Sequence, residues 1–86
     1  MSSIDEIRAL LASTTEQATS VQGLLAQAAH ELEAIRGQIA QVAQGSNHPA
    51  IAEAGGLYAT GLEQLSQLQP LVAAAQDATA TYLHNL

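Results

Sequence analysis

Apolar and small residues recur along the first half of the chain at spacings that alternate strictly between 3 and 4: Ile4, Ile7, Leu11, Thr14, Ala18, Val21, Leu25, Ala28, Leu32, Ile35, Ile39 and Val42. This is the a/d seam of a heptad repeat, the pattern of a long helix packed lengthwise against another. With Ile4 placed at a, the outermost f column reads Ala9, Glu16, Gly23, His30, Gly37 and Gln44, with no bulky apolar group among them. Ser3-x-x-Glu6 has the form of a capping box, and Asp5 and Glu6 suit the positive end of the helix dipole. Gly45 stands where a left-handed C-terminal cap favours glycine. The pattern predicts one helix over about 3–44, roughly 60 Å long at 1.5 Å per residue.

Gly45-Ser46-Asn47-His48-Pro49 then reads as a tight reversal at 45–48, with Pro49 opening a second helix where its missing N–H costs nothing. A connection this short makes the two helices antiparallel neighbours, with residue i opposite about 93 − i. The second helix, about 49–84, carries an apolar stripe at Ile51, Tyr58, Leu62, Leu65, Leu68, Val72, Ala75, Thr79, Tyr82 and Leu86. Pro70 removes the bond to the Ser66 carbonyl. The steps from Leu62 to Leu65 and from Leu65 to Leu68 are both of three residues, one short of the heptad alternation, just before that proline. One helix kinked at Pro70 is expected, a break into two being the second reading. The fold class is therefore all-α: a single helical-hairpin domain over residues 1–86.

A hairpin buries only one stripe per helix. Leu10 and Leu24 lie in the g column beside the first seam, and Leu57, Leu71 and Leu83 flank the second. Burying a leucine stabilises by about 1.5–3 kcal/mol, and a chain this short has little else to draw on. These five are candidate dimer contacts. The expected remedy is a four-helix bundle built from two hairpins, with a heterodimer with a related helical protein as the rival and a three-helix monomer folded at Pro70 as the third possibility.

Composition narrows the function classes. The 86 residues include 8 Asp and Glu against 2 Arg and no Lys, a formal net charge of −6. Nucleic acid and anionic membrane both call for clustered cations, so neither is an expected partner. The chain has no cysteine, which removes disulfides, thiolate nucleophiles and cysteine-ligated metals. The three histidines, His30, His48 and His84, are distant from one another in the hairpin, and no Glu precedes a His by three residues. No metal or other cofactor is expected. No Ser or Thr stands in a nucleophile–base pattern, and Gly55-Gly56 lacks the context of a phosphate loop, so no enzyme is expected. Tyr58 and Tyr82, the only aromatics, read as seam fillers whose hydroxyls reach the bundle edge. The acidic start, Met1-Ser2-Ser3-Ile4-Asp5-Glu6, is unlike a secretory leader. No window approaches the 18 or more apolar residues of a membrane span. A cytoplasmic protein is expected, or one secreted without a cleaved signal peptide.

A short, acidic, cysteine-free hairpin rich in Ala and Gln, with a glycine in its turn, resembles the WXG100 (ESAT-6-like) proteins of actinobacteria and firmicutes. It is similar also to small actinobacterial helical hairpins outside that family. The turn reads Gly45-Ser46-Asn47-His48-Pro49 where the family has Trp-x-Gly, and Tyr82 is followed four residues on by Leu86 where the family's secretion signal has an acid. The resemblance implies a non-catalytic dimer, homo- or hetero-, acting through its surface. The readings that follow are an interaction or assembly module, a leaderless type VII-like secreted substrate or its heterodimer partner, and a small regulator or antitoxin needing a cognate partner.

Overall fold

The computed structural model describes residues 3–86; Met1 and Ser2, the first two residues of the acidic N-terminal stretch, lie outside them. Two helices, α1 (Ile4–Gln44) and α2 (Pro49–His84), pack against each other as a hairpin, with no strand among the described residues. The rod measures 63 × 19 × 15 Å between Cα extremes. Its radius of gyration is 19.4 Å, against about 12 Å for a compact domain of this length.

Local chemistry sets the helix ends. The Glu6 amide donates to Ser3 Oγ at 3.1 Å and the Ser3 amide to Glu6 Oε2 at 3.3 Å, a complete capping box. At the other end of α1 the expected left-handed glycine cap does not form. Gly45 has φ −108° and ψ 6°, and its amide donates to the Val42 carbonyl at 3.1 Å, tightening the last turn. His48 caps α2: its Nδ1 accepts from the Ala50 amide at 3.1 Å, and Pro49 takes the first helical position. That bond requires a ring with Nδ1 unprotonated. The His48 amide in turn donates to Ser46 Oγ at 3.2 Å.

α2 runs unbroken through Pro70, so the reading of two separate helices is set aside. The alternation of 4 and 3 also continues past the proline, through Tyr58, Leu62, Leu65, Gln69, Val72, Gln76, Thr79 and Leu83, all half-buried. The seam takes Gln69 and leaves Leu68 outside. Gln22 Nε2 donates to the Gln69 carbonyl at 2.9 Å, and Gln76 Nε2 to Thr19 Oγ1 at 3.2 Å. These bonds give the Gln22 and Gln76 side chains a partner on the facing helix, the first at the Gln69 backbone carbonyl, and set which residues stand level across the hairpin.

No described residue is fully buried. Each helix has a half-buried stripe, and nothing closes over it. Glycines on the outer side weaken α1 further: a Cβ at Gly23 or Gly37 would meet nothing within 4 Å, and both are exposed. Gly23→Ala and Gly37→Ala are each expected to stabilise by about 0.5–1 kcal/mol, read as additive rises in melting temperature. A fall at either position would mean that this outer column is covered in solution.

Candidate interaction surface

The site follows from which columns of each helix the hairpin uses. In the half of α1 nearer the chain ends, the half-buried residues are Ile7, Leu11, Thr15, Ala18, Gln22 and Leu25, mainly the a and e columns. Beyond Leu25 the stripe moves to a and d, with Ala28, Leu32, Ile35 and Ile39. With Tyr58 at a, α2 likewise contacts α1 through a and e over its C-terminal half.

The d and g columns are thereby left open. Leu10 and Leu24 on α1 are 68% and 65% exposed, and Leu57 and Leu71 on α2 are both 65% exposed. Val21, Leu68 and Tyr82, expected in the seam, are exposed d residues. Ile4 and Val42, at the two ends of the expected seam, are exposed as well. Thr14 and Ala75, also expected in the seam, are exposed too, whereas Ile7, Leu11, Leu25, Leu32, Ile35, Ile39, Tyr58, Leu62, Leu65 and Val72 are half-buried. Leu83, read as flanking the stripe, is half-buried in the e column instead.

Because the helices are antiparallel, the d/g side of α1 and the d/g side of α2 point the same way. An open groove of about 470 Å³ near the chain ends shows this directly: Ile7 and Leu11 line one wall, Ala78, Thr79 and Tyr82 the other. A second, smaller groove follows, lined by Thr14, Thr15 and Ala18 on one side and Val72, Ala75, Gln76 and Thr79 on the other. The exposed leucines therefore share one long face of the rod.

Charge is kept off this face. Over both helices the d and g columns hold one ionisable acid or base, Glu31, while Asp5, Glu6, Arg8, Glu16, Glu33, Arg36, Glu53, Glu63 and Asp77 all lie in other columns. Arg36 pairs with Glu33 along α1. The hydrogen bond from Arg36 holds the Glu33 carboxyl below its usual range, and the same bond holds the guanidinium above its own. The pair's contribution exists above the ordinary glutamate range and disappears as pH falls through the lowered value. Both side chains are solvated, so it is small. It is the only ion pair formed among the described residues.

Thr15, Gln22, Gln69 and Gln76 are seam residues that a search for apolar spacing passes over. For the second helix the signal lies in the sequence all the same, since Gln69 and Gln76 continue the 4/3 alternation from Tyr58 that Leu68 interrupts. His30 is exposed, His48 forms the helix cap and His84 lies in the last turn of α2. Among the described residues no three His, Asp or Glu side chains gather into a set able to hold a metal ion. Neither helix is long and apolar enough to cross a membrane. No family model, curated protein or solved structure matches the chain.

Proposed function

We propose that the chain is a non-catalytic interaction and assembly module whose working form is a four-helix-bundle dimer, its open d/g face being the assembly surface. One observation carries the reading: with none of its described residues buried, the hairpin exposes Leu10, Leu24, Leu57 and Leu71 along a single face whose one carboxylate is Glu31. A helix with one neighbour needs one contact face. In a four-helix bundle each helix has two neighbours, so a/e serves one, d/g the other, and a/d points to the centre. The sequence supplies apolar groups for all three.

Leu10, Leu24, Leu57 and Leu71 are the proposed contacts to the second hairpin, with Val21, Leu68 and Tyr82 between them and the seam. A bend of α2 at Pro70, where the Ser66 carbonyl loses its backbone donor, belongs to the same proposal. The outer columns and the turn around Asn47 and His48 are then the surface held out for recognition. Kinship with WXG100-like hairpins is part of this reading and rests on architecture.

Sedimentation equilibrium tests it. At micromolar concentration the expected mass is twice 8.9 kDa, with helicity that falls on dilution as dimer dissociation exposes the stripe. A stable, highly helical 8.9 kDa species would remove the homodimer. A poorly helical monomer that folds only with a second protein would favour the heterodimer or the cognate-partner regulator.

A further inference from the structure

We infer that the face is covered by a second copy whose two-fold axis runs along the rod, so that α1 of each copy lies on α2 of the other and both turns share one end. This rests on the bundle reading and adds its occupant and geometry.

Area is the first argument. The chain exposes 6310 Å², about 1,500 Å² more than the roughly 4,800 Å² expected of a compact monomer of this mass. A stable interface buries about 800 Å² per partner. The rod's 63 × 19 Å side offers about 1,200 Å² of footprint, enough for that requirement with one copy seated on it.

Charge is the second. Two chains of −6 repel each other unless the contact is kept clear of like charge, and this face carries only Glu31. A foreign partner chosen by complementary charge would find almost nothing to read there.

The levels of the apolar groups supply the geometry. The Gln22–Gln69 and Thr19–Gln76 bonds set residue i level with about 93 − i. That puts Leu10 level with residue 83 and Leu24 with residue 69; the nearest residues on the open face are Tyr82 and Leu68, each one position away. An axis along the rod lays each α1 residue on the α2 residue of the partner at its own level, so Leu10 meets the partner's Tyr82 and Leu24 the partner's Leu68. An axis across the rod inverts α1 on α1 about its middle and sets Leu10 near the partner's Gln38. Only the first arrangement matches apolar with apolar at that end, as a self-complementary two-fold interface requires.

The cysteine-free chain makes the test direct: Asn47→Cys introduces the sole thiol, at the exposed turn. A nitroxide attached there is measured by pulsed electron resonance in the full-length protein, alongside its mass. The expected result is a dimer with label separation of about 15–30 Å, from helix axes about 10 Å apart plus label length. A dimer with labels near the 63 Å rod length would overturn the axis and leave the bundle standing. A monomer with no dipolar coupling would overturn both, and a larger oligomer would overturn the two-copy occupant.

Discussion

Leu25→Asp and Leu32→Asp are each expected to unfold the protein, seen as loss of the helical far-ultraviolet signal at room temperature. Both side chains sit in the a column of α1, half-buried against α2. Replacing either removes a leucine's burial and pushes a carboxylate toward an apolar seam with no basic residue in it. The combined cost is about 3–5 kcal/mol, comparable with the whole stability of a domain this small. His30→Ala, two residues before Leu32 on the outer column, is expected to change stability by less than about 0.5 kcal/mol. The contrast depends on the heptad frame alone. Equal losses from His30→Ala and Leu32→Asp would show that α1 is rotated from the orientation described.

The hairpin was legible because two signals of different origin agree. The apolar repeat in α1 announces a long packed helix, while Ser3, Glu6 and Pro49 announce helix starts through backbone hydrogen bonding, independently of any core. What the repeat hides is the division of labour among its columns. A run of a and d residues identifies the middle of the packing surface without saying which flank the chain's own second helix covers. Within the hairpin that flank is e over much of the length, so Thr15, Gln22, Gln69 and Gln76 lie inside while Val21, Leu68 and Tyr82 stay outside. The glutamines are not conspicuous by hydropathy, and the fitness of Gln22 and Gln76 for the seam comes from particular acceptors, the Gln69 backbone carbonyl and the Thr19 hydroxyl. Those acceptors exist only once the helices are paired. Gly45 shows the same limit in the turn, where glycine suits a left-handed cap but the chain closes without one.

Leu24→Glu should separate the two uses of α1. In the hairpin Leu24 is 65% exposed, so the substitution costs an isolated hairpin almost nothing. In the bundle the same side chain is buried in both copies. Losing about 2 kcal/mol of leucine burial twice weakens the dimer by about a thousandfold in Kd, before the charge is counted. The expected outcome is a shift to the 8.9 kDa species at concentrations where the parent is dimeric, together with reduced helicity. Leu68→Lys is expected to do the same by itself. Mixing the two variants brings glutamate of one chain level with lysine of the other while the reciprocal Leu24–Leu68 contact stays intact, so a mixed dimer should recover where neither variant associates alone. That recovery needs α1 of one copy to lie on α2 of the other. With α1 on α1, the glutamate would face an α1 of the second chain and the lysine would be out of reach. Unchanged mass and melting temperature in Leu24→Glu would place the interface on another face, because a leucine buried between two hairpins cannot become a carboxylate without consequence.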